Sequence, residues 1–184
     1  MLEEHLGGHN GLTHLDEGAL DWLKNLGHKS FLDIGCGPGG MVQLAEQKGF
    51  NVLGIDGDYT LDRYNTNNFL IHDFTTGPAP VDKIFDIGWS VEFVEHVYEE
   101  YIPNYVQAMQ KCKNVIMTHA VVGQTGYHHV NCQDPPYWIN TMKQYGFRFD
   151  QTLTNQLRRV STMGKKKKHR FLEKTGMYFV NEKL

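Results

Sequence analysis

Hydrophobic positions along the chain change period several times. Over 12–26, Leu12, Leu15, Ala19, Trp22, Leu23 and Leu26 share one helical face, and Gly27 ends the run. SFLDIG (30–35) then predicts a short buried strand, GCGPGG a turn, MVQLAEQKG a helix closed by Gly49, and NVLGID (51–56) a second strand. The alternation continues. FLIHDF (69–74) and KIFDIGWS (83–90) predict strands three and four, and 99–112 a helix with Pro103 near its start. NVIMTHA (114–120) predicts strand five, PPYWINTMKQYG (135–146) a helix opening on proline, FRFDQTL (147–153) strand six and TGMYFVNE (175–182) strand seven. The expected class is α/β: a doubly wound, seven-stranded, mostly parallel sheet with helices on both faces. Ligands of such sheets sit beyond the carboxyl ends of the strands.

Length and composition narrow the setting. The 184 residues suit one domain (1–184), with 1–26 as an N-terminal lid and helix segment. The net charge of −3 excludes a globally basic nucleic-acid binder. Cys36, Cys112 and Cys132 are odd in number and lack metal-finger spacing, which favours a reduced chain over a disulfide framework. The first residues have no apolar signal region, and no run approaches membrane-spanning length. The expectation is a cytoplasmic protein without membrane contact; its oligomeric state is left open.

The chemistry concentrates at the strand ends. In DIGCGPGG (33–40) a strand turns sharply into a helix, and Gly35, Gly37 and Gly39 let the backbone approach a ligand closely. This segment resembles motif I of the class I, Rossmann-like methyltransferases that use S-adenosylmethionine (SAM), of the small single-domain type. The resemblance implies that Asp33 faces the amino group of the methionine moiety. It also implies that Asp56, followed by Gly57, accepts the ribose hydroxyls. Asp73 would take the adenine amino group, Phe74 would pack on the ring, and Trp89 would sit near cofactor and substrate. Gly35, Gly37 and Gly40 also fit the dinucleotide pattern GxGxxG, which alone is weak. Asp33, the interrupting Pro38 and the second acidic strand end at Asp73 argue against that reading. Trp89 as plain core and Asp73 as a turn cap are the structural alternatives.

Strand four leads into SVEFVEHVYEEY, where Glu92, Glu95 and His96 would share a face if helical. Two carboxylates and an imidazole suit a divalent ion. The arrangement resembles metal-using O-methyltransferases of ubiquinone biosynthesis and of small-RNA termini. The latter add a histidine after strand five; His129 is the better match, and His128 could swap with it. The resemblance implies Mg²⁺ or Mn²⁺ on Glu92, Glu95, His96 and His129. Without a metal, His128 or His129 is the general-base candidate. The competing reading makes the glutamates helix caps and the histidines packing residues.

Two further segments stand out. HLGGHNGLTHLDEG (5–18) reads either as a lid over the active site or as a polar lead-in whose Thr13 or Asp16 caps the first helix. KKKKHR (165–170) reads either as a solvated loop or as a contact for an anionic substrate, with Arg158 and Arg159 nearby. Asp134-Pro135-Pro136-Tyr137 lies beyond strand five, where it reads as a helix start and not as an amino-methylation motif. The expected activity is SAM-dependent O-methylation of a small polar or glycan-like acceptor, metal-assisted if the ion binds. The alternatives are a small-RNA-type 2′-O-methyltransferase, in which nucleic acid is the partner, and a non-catalytic SAM-binding module.

Overall fold

A computed structural model describes residues 2–164 and 169–184. Seven strands form one sheet in the order β3-β2-β1-β4-β5-β7-β6. They are β1 (Ser30–Ile34), β2 (Asn51–Asp56), β3 (Phe69–Ile71), β4 (Phe85–Ser90), β5 (Cys112–Met117), β6 (Phe147–Phe149) and β7 (Met177–Asn181). The β3-to-β5 block is parallel, while β7 runs antiparallel between β5 and β6. The helices are α1 (Glu17–Asn25), α2 (Gly40–Gln47), α3 (Ile102–Met109), α4 (Pro135–Gln144), α5 (Gln151–Val160) and α6 (Phe171–Thr175).

The two-residue period of the strands sorts side chains between two cores. Phe31, Ile87, Trp89, Ile116 and Tyr178 face one layer, with Leu20 and Leu23 of α1, Met41 and Ala45 of α2, and Leu157 of α5. Leu32, Ile34, Val115, Met117 and Phe179 face the other, with Tyr105 and Val106 of α3 and Trp138 and Met142 of α4. Both faces of the sheet are covered, as the near-continuous apolar strands require.

Several boundaries differ from the sequence expectation, the third strand among them, which stops at Ile71. The first helix begins at Glu17, not at residue 12. Buried Asp16 accepts the Ala19 amide at 2.8 Å as N-cap, and Leu12 and Leu15 are left exposed. The sixth strand stops at Phe149, because Asp150 caps a helix, α5, by accepting the Leu153 amide at 3.0 Å. The chain also forms the short helix α6 before β7. The lysines of the basic run, 165–168, lie outside the described residues.

Candidate functional site

β1 and β4 are neighbours, and their connections leave in opposite directions, so a crevice opens beyond their carboxyl ends. The glycine loop lines it. Gly35 and Cys36 donate their amides to the Ile55 carbonyl at 2.8 and 3.1 Å, which stitches the loop to β2. Gly35 has φ +79° and Gly39 φ +83°, both left-handed. A Cβ on Gly35 would strike the Phe93 ring, and one on Gly39 the Phe69 ring. Glycine is required here by conformation and by space.

Carboxylates ring the loop. Asp33 is buried at the end of β1; burial, and then the charge of Asp56, push its carboxyl well above the ordinary range. Asp56 accepts the Gly37 amide (2.8 Å) and the Asp58 amide (2.8 Å). Burial raises its pKa against the pull of those amides and of Arg63. The buried Arg63 guanidinium donates to the Gly37 carbonyl (3.0 Å) and the Asp58 carbonyl (3.1 Å), and lies 3.5 Å from Asp56. The sequence reading missed Arg63, because nothing in the segment after β2 marks it. At the end of β3, burial would raise Asp73, but the Thr75 amide and His5 hold it below the usual range. Phe74 is buried, with the Phe93 ring 5.8 Å away. Trp89 is buried against Phe31 at 5.7 Å and also reaches a cleft wall.

The N-terminal segment crosses this crevice. His5 Nε2 lies 3.0 Å from Asp73, and His9 Nε2 lies 3.0 Å from Asp58. Leu6 fills the space beside Gly57 that a Cβ would need, and Gly8 rests on the His96 ring. Thr13 accepts the Gly40 amide at 3.2 Å, so it caps α2 and not α1. Two clefts result. One, of about 460 Å³, is lined by Asp56, Gly57, Asp73, Phe74 and His128. The other, of about 240 Å³, is lined by Asp33, Gly37, Trp89 and His129. Gly8, His9, Gly35, Glu92 and His96 border both.

The Glu-x-x-Glu-His segment is not an α-helix. Glu92 has φ +54°, and Val94–His96 make a single 3₁₀ turn. Glu95, His96 and His129 nevertheless converge, with one ligand atom of each within 4.8 Å of the others. Glu92 stands outside this triad, with its amide on Thr118 Oγ1 at 2.8 Å and its carboxylate accepting from the same hydroxyl at 3.3 Å. Glu95 is fully buried, and neither of its oxygens has a hydrogen-bond partner among the described residues. Burial and the charge of Glu92 push Glu95 well up, and burial lifts Glu92 to about 7. His96 is lowered to about 4, by burial and then by His129, so its ring is neutral and able to ligate. The two adjacent histidines part company. His129 joins the triad, while His128, at φ +47°, turns to the larger cleft beside Tyr98.

The donor sets fit the groups the sequence suggests. Among the described residues no cation pairs with the buried Asp33 carboxyl, and an amino group would be one. The orphaned Glu95 oxygens, with two imidazoles, have the chemistry of a divalent site.

Residues 32–122 match the methyltransferase domain family. No curated protein matches the chain. Among solved structures, a TehB-like SAM-dependent methyltransferase from Corynebacterium glutamicum is similar at 15% identity and TM-score 0.58, over 72% of this chain and 74% of that one. The methyltransferase domain of bacterial CtHen1-C gives 15% and 0.57, over 88% and 92%. Magnesium protoporphyrin IX methyltransferase from Synechocystis, with bound S-adenosylhomocysteine, gives 15% and 0.56, over 89% and 79%. At these identities the solved structures speak for the fold, and the family match runs from within β1 to just past β5. With that match seated on this sheet order, the chain is a class I, SAM-dependent methyltransferase.

Proposed function

We propose that this methyltransferase O-methylates a small polar, sugar-like or otherwise hydroxylated acceptor with help from a divalent metal ion. The carrying observation is Glu95: a carboxylate taken fully out of water, without a hydrogen bond, beside two imidazoles. Such a group is costly unless a proton or a cation compensates it.

In this reading the methionine end of SAM lies along the glycine loop, with its amino group on Asp33. Asp56 takes the ribose hydroxyls, with Gly57 beneath the sugar. Asp73 takes the adenine amino group, and Phe74 and Phe93 hold the ring. SAM supplies a methyl group on a sulfonium centre, ready for in-line attack by an oxygen. Glu95, His96 and His129 hold the ion, and Glu92, held on Thr118, stays beside the set. A mixed carboxylate and imidazole set favours Mn²⁺ over Mg²⁺. An ion there lowers the pKa of an acceptor hydroxyl. His128 or an unligated His129 takes the proton. The N-terminal segment acts as a lid, its His5 and His9 contacts releasing when the cofactor exchanges.

The test is a Mn²⁺ titration of chelator-treated protein followed by electron paramagnetic resonance. The wild type should bind one ion, with Glu95→Gln and His129→Ala weakening it by about 10- to 100-fold. Binding unchanged in both variants removes the metal from the mechanism and leaves histidine as the base.

The same triad favours a second reading, an RNA-terminal 2′-hydroxyl as acceptor. It predicts RNA binding that weakens steeply with salt, whereas a small acceptor predicts none.

A further inference from the structure

Among the described residues Arg63 is the one lysine or arginine that is buried, and it borders neither cleft, so it stands behind the glycine loop. A buried guanidinium is costly unless its donors and its charge are met. Here it gathers three negative ends. Nε donates to the Gly37 carbonyl at 3.0 Å, Nη1 donates to the Asp58 carbonyl at 3.1 Å, and Nη2 lies 3.5 Å from Asp56 Oδ1. Its Cζ also lies over the Phe69 ring, 5.4 Å from the centroid, and that ring fills the space where a Cβ on Gly39 would stand. Arg63 therefore meets the loop at two points, at Gly37 directly and at Gly39 through Phe69.

Asp56 shows what this arrangement leaves free. A carboxylate offers about four lone-pair sites, two on each oxygen. The Gly37 amide takes one on Oδ2 and the Asp58 amide takes one on Oδ1, both at 2.8 Å. At 3.5 Å the Arg63 guanidinium acts on Oδ1 chiefly as a charge, too far away to occupy a lone pair fully. One site on each oxygen remains, and Asp56 lines the larger cleft. Resting on the cofactor assignment above, we infer that Arg63 is a positioning residue for the ribose: it locks Gly37 and the turn at Asp58 around the Asp56 carboxylate, so that each oxygen keeps one lone pair for one ribose hydroxyl. Without the guanidinium, the two carbonyls and the carboxylate would face one another buried and uncompensated, and the loop would have to turn one of them away. Lysine would keep the charge but not the fork, because one ammonium is a point charge and cannot serve all three groups in the same geometry.

The experiment titrates the full chain with S-adenosylhomocysteine and, separately, with its 2′-deoxyribose analogue, both followed by calorimetry. The wild type should prefer S-adenosylhomocysteine by about tenfold or more, as expected for one hydrogen bond to a charged acceptor. Arg63→Gln should weaken S-adenosylhomocysteine by about tenfold and leave the deoxy analogue nearly unchanged, so that the preference collapses. Arg63→Lys keeps the buried charge, stands in should Arg63→Gln fail to fold, and should cut the preference by about threefold. A residue that only stabilises the fold would weaken both ligands alike. A wild-type preference that the folded Arg63 variants keep in full therefore overturns this inference and leaves the cofactor assignment standing. A wild type that binds both ligands equally overturns the ribose assignment of Asp56, and this inference with it.

Discussion

Single residues set the chemistry, and two predictions belong at that scale. Gly35 combines a left-handed φ with the Phe93 ring where a Cβ would stand. Gly35→Ala should lower stability by about 2 kcal/mol through strain and overpacking, read as a lower urea midpoint at unchanged slope. An unchanged midpoint would mean that the loop yields freely. The second concerns Glu92 and Glu95 in metal-free protein. Burial lifts Glu92 from 4.5 to about 7, and burial with the Glu92 charge lifts Glu95. Both bind protons more tightly folded than unfolded. Their stabilising contribution is therefore complete below the unfolded value and lost as pH rises through the folded one. The melting temperature in chelator should fall from about pH 5 to pH 8, flatten in Glu92→Gln, and recover with Mn²⁺ at the alkaline end. A pH-independent melting temperature in the wild type would contradict the shifts.

Elements bring those residues together, and here the sequence was only partly readable. The strands of the parallel block were legible because each is a short apolar run closed by a polar or glycine residue. Helix α5 was not, because FRFDQTL continues a strand-like pattern past Asp150. The switch to a helix depends on one capping carboxylate and on Leu153 and Leu157 in an otherwise polar stretch. The Glu92-to-His96 spacing suggested a helix that does not form. The triad closes through a 3₁₀ turn, and the loop after β5 lays the Val130 and Asn131 amides on the Glu95 carbonyl at 2.9 and 3.1 Å. Such long-range ties leave no local mark, nor does Arg63 on Gly37. Asp16 is another. It caps α1 and also accepts the Thr162 amide (2.9 Å), the Met163 amide (3.2 Å) and the Ser161 hydroxyl, binding the chain after α5 to α1. Asp16→Ala should cost about 2–4 kcal/mol by calorimetric melting, well beyond a surface cap; a loss under about 1 kcal/mol would show that the 161–163 ties are not sustained. Deleting residues 2–11 removes the segment across the crevice and should speed S-adenosylhomocysteine release by about tenfold in stopped flow. An unchanged rate would mean that this segment is no lid.

At the scale of the whole molecule, the sheet order places every candidate residue at one edge. Asp33, Asp56 and Trp89 come from β1, β2 and β4 and Asp73 from just past β3, four strands whose carboxyl ends border one crevice. That much followed from acidic residues at successive strand ends. The antiparallel insertion of β7 between β5 and β6 did not, since apolar alternation carries no direction. No helix of the described residues is long and apolar enough to cross a membrane. The most direct measurement of the account is a calorimetric titration of the protein with S-adenosylhomocysteine, repeated on Asp56→Ala and Asp73→Ala. The account predicts binding by the wild type and a loss of about 2–3 kcal/mol for Asp56→Ala, with a smaller loss for Asp73→Ala. Wild-type binding that both variants retain in full would contradict the proposed cofactor site, and absence of binding by the wild type would contradict the account at its centre.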